Sequence, residues 1–287
     1  MGIIDDIKYK FINQQDAVKR IIMLNVLVFV VLMLPHVVLF LAQIDTSSYH
    51  WFLNKLKLPA SFGTLLMQPW SIFTYMFLHD GIFHILFNML WLYWIGTVFQ
   101  EYLGNRKVYE CYFVGGLAGG LIFMISYNIF PVFSQVAHSA HAVGASAGVL
   151  AIIVATATLL PDYTINLMFF GNVKLKYIAL ITVLLDVLMI PQSNAGGHIA
   201  HLGGAATGFL YVKYIYKYGN IFPNSFANLF GNKSKMKIHF RNTEPTSSKF
   251  EQPTQEEVDR ILDKISKHGY DSLSKKEKEI LFKASKD

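Results

Sequence analysis

The chain has 287 residues, of which 53% are hydrophobic and only 15% charged, with a formal net charge of +6; a soluble chain of this size carries about 25% charged residues. Thirteen of the 25 Lys+Arg and ten of the 19 Asp+Glu fall in residues 219–287, so the first 218 residues are charge-poor and a single soluble domain is excluded. Cys111 stands alone, which excludes a disulfide scaffold, and basic residues here fit the cytoplasmic face of a membrane protein better than a nucleic-acid surface.

Residues 1–19 place Ile3, Ile4, Ile7, Phe11 and Ile12 at helical spacing. That suits a short helix lying on the membrane surface, and equally a plain extension before the first span. From Arg20 to Gln43 no charge interrupts an apolar run long enough to cross a bilayer. The run is too long for a cleavable leader, and no small-residue cleavage site follows it. Later apolar runs cover roughly 82–100, 108–128, 146–160, 177–190 and 199–216. The expected fold is therefore an all-α membrane bundle of six transmembrane helices over residues 20–218.

Basic residues set its orientation. Lys8, Lys10, Lys19 and Arg20 precede the first span, Arg106 and Lys107 lie between the second and third, and Lys174 and Lys176 between the fourth and fifth. The stretches 129–145 and 191–198 contain neither Lys nor Arg. An even number of spans with both termini cytoplasmic satisfies every connection. The long first external connection (Trp51, Phe52, Leu53, Leu56, Leu58, Phe62, Leu65, Leu66, Trp70) is half apolar and is expected partly in the interface. Beyond the bundle, residues 219–253 read as a linker whose first part stays near anionic lipid. Residues 254–287 read as a small cytoplasmic helical hairpin. Thr254 and Glu257 begin one capping box and Ser274 and Glu277 a second, with Gly269 between. Its core is small, so it is expected to dock on a cytoplasmic partner or on the membrane domain, or to act as a spacer.

Polar side chains converge on one end of three helices. His84 and Asn88 stand four residues apart at the start of the second, Ser146 opens the fourth and His201 falls in the first turn of the sixth. All three helices run from outside to inside, so these groups share a depth near the outer leaflet. Intramembrane polar residues are rare and usually face a bundle interior or a water-filled cavity. The fourth helix, over 146–160, is about 22 Å long against a hydrocarbon core of about 30 Å, which sets Ser146 below the outer surface. His201, Gly204 and Gly208 share one helical face, and Ala147, Ala151 and Ala155 form a matching small stripe beside Ser146. Such stripes bring helices close in lipid and would bring His201 within reach of Ser146. A hydroxyl at a helix N-terminus, an imidazole to take its proton, and Asn and His donors for an oxyanion form a nucleophilic set. It requires neither a metal nor an organic cofactor.

On these residues the chain resembles the rhomboid family of intramembrane serine proteases. The fragments are His84-Ile-Leu-Phe-Asn88, Gly144-Ala-Ser146 and Ala200-His201-Leu-Gly-Gly204-Ala-Ala-Thr-Gly208, within residues 65–218. The resemblance implies a Ser–His dyad without a carboxylate: Ser146 as nucleophile, His201 as general base, and His84, Asn88 and the Ser146 backbone N–H as the oxyanion hole. It implies transmembrane protein substrates with a locally unstable helix and a small residue at the cleaved position. It also implies a multi-pass protein, here expected in a bacterial cell membrane. The chain departs from many relatives in having Trp70-Ser71 where they have Trp-Arg, Ala147 after the serine, and Leu150 where some place a tyrosine.

Rival readings stay in view. Gly144-Ala-Ser146-Ala-Gly148 also fits the strand–turn–helix elbow of α/β-hydrolases, without the strand context. His138/His141 and His198/His201 are two external H-x-x-H pairs, the basis for a His-lined metal or proton transporter, but no Cys, Asp or Glu ligand is expected beside them. A catalytically inactive rhomboid-like binding protein is the third class, opposed by the retention of both Ser146 and His201. Asp186, near the outer end of the fifth span, reads either as a partner of the site or as a solvated interfacial acid, and the second is favoured. Gly115, Gly116, Gly119 and Gly120 read as packing glycines, and residues 191–197 as a mobile loop beside the fifth helix.

Overall fold

A computed structural model describes residues 16–167, 171–215, 221 and 254–284. The segment 1–15 and nearly all of the expected linker lie outside the described residues. Helix α1 (Ala17–Leu41) begins where Asp16 caps it, the side chain accepting from the Lys19 N–H at 3.0 Å. The first connection then folds into α2 (Ser47–Leu56), strand β1 (Leu58–Pro59), α3 (Phe62–Met67) and the single turn α4 (Ser71–Thr74). Helices α5 (Ile82–Leu103) and α6 (Asn105–Ile129) are separated by Gly104 at φ +81°. After α6 comes strand β2 (His141–Ala142), which pairs antiparallel with β1, so the two longest connections are laced together. Helix α7 (Ser146–Leu159) follows, then a hairpin of β3 (Thr164–Leu167) and β4 (Gly171–Lys174), then α8 (Leu175–Met189) and α9 (Ala195–Leu210). A π-helical turn, Tyr211–Ile215, continues α9.

Helices thus occupy all six apolar runs. Three of them, α1, α5 and α6, are long and apolar enough to cross a membrane by length and composition. Helices α7, α8 and α9 have 14, 15 and 16 residues, about 21–24 Å at the α-helical rise. Leu27, Leu34 and Val38 on α1 and Leu180, Leu184 and Leu188 on α8 are exposed, an apolar surface that suits hydrocarbon rather than water.

Helices α6, α7 and α9 form the centre, and small residues set their spacing. A Cβ on Gly204 would stand 2.1 Å from the Ala147 carbonyl oxygen, and one on Gly208 2.1 Å from that of Ala151. Gly119 of α6 meets Ala147 and the Ala200 carbonyl in the same way. The stripes expected on the fourth and sixth helices are in contact. At the other end of this core the buried Glu110 accepts from Lys107 Nζ at 2.9 Å, Arg106 Nε at 3.2 Å and the Tyr211 hydroxyl at 2.8 Å. A carboxylate removed from water needs this many partners, and the network ties α6 to the end of α9.

Two expectations about the chain's local course are corrected. The sixth helix starts at Ala195, not 199, because Asn194 adopts a left-handed conformation (φ 46°) and its side chain accepts from the Gly197 N–H at 3.2 Å. Gly196 and Gly197 are therefore in the first helical turn rather than in a loop, and His201 lies in the second turn. The hairpin over 164–174 was not expected. Beside it, Lys174 and Lys176 reach the Asp162 carboxylate at 3.0 and 2.8 Å and hold its pKa down at about 2.

The chain divides into two compact units, residues 1–233 and 234–287, the boundary falling within the expected linker. In the second unit, α10 (Gln255–His268) and α11 (Lys275–Ala284) form the expected hairpin. Thr254 and Glu257 make the first capping box. Glu277 accepts from the Ser274 N–H at 2.7 Å while Ser274 Oγ accepts from the Glu277 N–H at 3.4 Å. Gly269, at φ +77°, ends α10.

Candidate active site

Ser146 is the first residue of α7, where the leading backbone N–H groups have no carbonyl within the helix to bond. Gly144, two residues before it, has φ +129°, a conformation that side chains strain to adopt. Its N–H donates to the Tyr75 carbonyl at 2.9 Å, which fixes the turn into the helix. Gly148, on the next turn, lies against α6, where a Cβ would meet the Tyr112 carbonyl oxygen at 2.7 Å. Both glycines of the G-x-S-x-G sequence thus have packing reasons, and what precedes it is the two-residue β2, paired only with β1, not a strand of the larger sheet that a hydrolase elbow requires.

The close approach of α7 and α9 brings His201 Nε2 to 2.6 Å from Ser146 Oγ. His84 borders the same space: a Cβ on Gly144 would lie 3.0 Å from His84 Nε2 and 3.2 Å from Ser146 Oγ. Asn88 is one turn further along α5, buried, and its amide donates to the His84 carbonyl at 3.0 Å. Among the described residues no hydrogen bond joins Asn88 to Ser146. The structure therefore gathers Ser146, His201 and His84 around one point, with Asn88 beneath His84.

Two further residues join this group: His79, which the sequence did not single out, and Asp186, whose role as a partner of the site was the less favoured of its two readings. His79 packs edge-to-face on His84 with ring centroids 4.9 Å apart. Asp186 is 5% exposed, which overturns its reading as a solvated interfacial acid. Its Oδ1 lies 2.8 Å from Nδ1 of His201 and 2.8 Å from Nδ1 of His198. An acid thus stands beside His201, because α8 packs beside α9 and contributes the carboxylate that the three site helices lack. A fold-independent signal was available: about equal chain lengths separate Asp186 and His198 from the turn between the two helices.

Asp186, His198 and His201 offer ligand atoms within 4.8 Å of one another, a His₂–carboxylate set of the kind that holds divalent metals. This corrects the expectation that no acid stands beside the second histidine pair. Of the first pair, His141 Nδ1 donates to the Ser139 carbonyl at 2.7 Å, and among the described residues neither His138 nor His141 belongs to a three-ligand group. Where relatives carry Trp-Arg, the Trp70 indole N–H donates to the Lys55 carbonyl at 2.8 Å and Ser71 is fully buried. Leu150, at the tyrosine position, is also buried.

A model described as the rhomboid domain matches residues 66–218, and a family of unknown function (DUF6576) matches residues 251–287. RHOMBOID-like protein 1 of Arabidopsis thaliana is 33% identical over 143 residues, half of this chain and 33% of that protein. RHOMBOID-like protein 12, mitochondrial, of the same plant is 30% identical over 145 residues, 47% of this chain and 43% of that protein. Rhomboid protease GlpG of Salmonella choleraesuis is 34% identical over 58 residues, 20% of this chain and 21% of that protein. In each case the match spans less than half of the relative's own length.

Proposed function

The chain belongs to the rhomboid family and is an integral membrane protein, and we propose that it is a serine endopeptidase cleaving peptide bonds in or near transmembrane segments. The observation that carries this reading is the 2.6 Å contact between Ser146 Oγ and His201 Nε2 at the N-terminus of α7. In this reaction Oγ gives its proton to Nε2 as it attacks the scissile carbonyl carbon. The oxyanion that forms is held by the first N–H groups of α7 and by His84, with Asn88 supporting His84. His201 then passes the proton to the leaving amine, and water, activated by the same imidazole, releases the acyl group from Ser146.

The topology proposed with this activity has six spans and cytoplasmic termini. It is supported by the basic residues at Lys19 and Arg20, at Arg106 and Lys107, and at Lys174 and Lys176, which fall at the ends of helices facing one side. The site then opens toward the other side, so the cleaved bond lies near the outer leaflet. Substrates are transmembrane proteins, and the family resemblance implies a small residue at the cleaved position. The test is cleavage of a model transmembrane substrate in detergent by Ser146→Ala, His201→Ala and the double variant. Each is expected to be inactive, the double no worse than either single, because groups that act together are not additive. Cleavage by Ser146→Ala sinks the proposal.

A further inference from the structure

We infer that Asp186 is a positioning residue for the base, making the site a Ser146–His201–Asp186 triad in which His198 steadies the carboxylate. The inference rests on the reading of Ser146 and His201 given above and deepens it.

A carboxylate oxygen only accepts hydrogen bonds. With Asp186 Oδ1 at 2.8 Å from Nδ1 of His201, the imidazole proton belongs on Nδ1. That leaves the Nε2 lone pair aimed at Ser146 Oγ, 2.6 Å away, where the serine O–H donates to it. The opposite tautomer would present an N–H to the serine and leave no base. Asp186 therefore selects the one neutral form of His201 that can accept the proton. When Oγ attacks, the proton moves from Oγ to Nε2, the ring becomes an imidazolium, and the carboxylate beside Nδ1 stabilises that charge without taking a proton itself.

His198 explains why the carboxylate stays aimed. His198 and His201 stand three residues apart on α9, hence on one face, and both turn toward α8. Each donates from Nδ1 to the same oxygen of Asp186 at 2.8 Å. Two donors converging on Oδ1 from one rigid helix hold the carboxylate in one orientation. The other oxygen, Oδ2, is buried with no hydrogen-bond partner among the described residues. A buried carboxylate with an unsatisfied oxygen is a costly feature for packing alone. An apolar side chain would fill the place more cheaply, whereas a charge beside Nδ1 of the base has a chemical use.

Two measurements test this. In the wild-type enzyme, selectively ¹⁵N-labelled His201 is expected to show the Nδ1–H tautomer at neutral pH; a dominant Nε2–H tautomer overturns the inference without any variant. Asp186→Asn keeps the volume and removes the charge. It is expected to lower kcat by about 10²-fold or more, with KM within about twofold. Fluorophosphonate labelling of Ser146 should slow in proportion, and Asp186→Glu should recover part of the rate. A folded Asp186→Asn enzyme with wild-type kcat overturns the inference. So does a loss confined to KM, since a merely structural acid would not select kcat. If instead Ser146→Ala still cleaves, the protease reading itself has failed, and the two failures are told apart.

Discussion

Gly204→Ala tests whether the spacing of α7 and α9 sets the catalytic contact. The added Cβ would lie 2.1 Å from the Ala147 carbonyl oxygen, and real Cβ atoms essentially never approach closer than 3.0 Å. The neighbour is backbone on a packed helix, so it has no rotamer by which to yield. Helix α9 must withdraw by roughly 0.9 Å, and overpacking of this kind costs about 1–3 kcal/mol of stability. Carried to the site, the same displacement stretches the Ser146–His201 contact from 2.6 Å to roughly 3.5 Å, beyond a useful hydrogen bond. Misplacement of about 1 Å at a reacting centre costs on the order of 10²-fold in rate. The assay is turnover of a fluorogenic transmembrane peptide in detergent, with the thermal midpoint measured on the same preparation. Gly63→Ala is the control, since a Cβ there meets nothing closer than 3.8 Å; it should match wild type in both. Full turnover by a folded Gly204→Ala enzyme would refute the claim that this glycine sets the contact.

Three further outcomes follow from the same geometry. His84→Ala should lower kcat on the order of 10²–10³-fold with little change in KM, and Asn88→Ala less, because Asn88 bonds the His84 carbonyl rather than Ser146; equal and full turnover in both would move the oxyanion hole elsewhere. Chelation should leave cleavage intact, because a cation on Nδ1 of His201 would force the ring proton onto Nε2 and remove the base; activity abolished by chelation and restored by a divalent metal would instead favour the Asp186–His198–His201 set as a working metal site. In the C-terminal hairpin, Lys264 at 2.8 Å and Ser274 hold the Glu277 pKa down from 4.5 to about 2. A depressed folded pKa contributes stability that is present above the unfolded value and lost as pH falls through the folded one. Hydrogen-exchange protection of α10 and α11 should therefore decline between about pH 4.5 and 2, and less steeply in Lys264→Ala; an unchanged profile in that variant would show that the pair contributes nothing.

Much of this arrangement was legible because it depends on chemistry that a sequence displays. Uninterrupted apolar runs coincide with α1 and with α5 to α9. Small residues at Gly204, Gly208, Ala147 and Ala151 announced which helices touch, since only backbone-to-backbone approach needs such stripes. His84, Ser146 and His201 stand at the same end of their helices, a placement that chain direction alone assigns, with Asn88 one turn beyond. What escaped depended on rotation and on local turns. Asp186 has a known place near the C-terminal end of α8, but whether it faces outward or toward α9 is set by how α8 turns about its axis, which a nearly all-apolar helix does not reveal. The start of α9 was misplaced by four residues because Asn194 was read as part of a loop, although Asn is a strong helix cap and tolerates the left-handed conformation. Ahead of and through β3 the chain shows strand-like alternation at Tyr163, Ile165 and Leu167, and β4 opens on Gly171 (φ +66°), a period-2 signal lying between two apolar helices.

The central claim is that Ser146 is a nucleophile made reactive by His201, and covalent labelling tests it most directly. Wild-type protein in detergent, treated with a fluorophosphonate and analysed by peptide mass spectrometry, is expected to carry one adduct, on Ser146. Ser146→Ala should carry none, and His201→Ala should label at least about 10²-fold more slowly. Folded wild-type protein that cleaves its substrate yet leaves Ser146 unlabelled, or a His201→Ala variant that labels at the wild-type rate, would contradict the account.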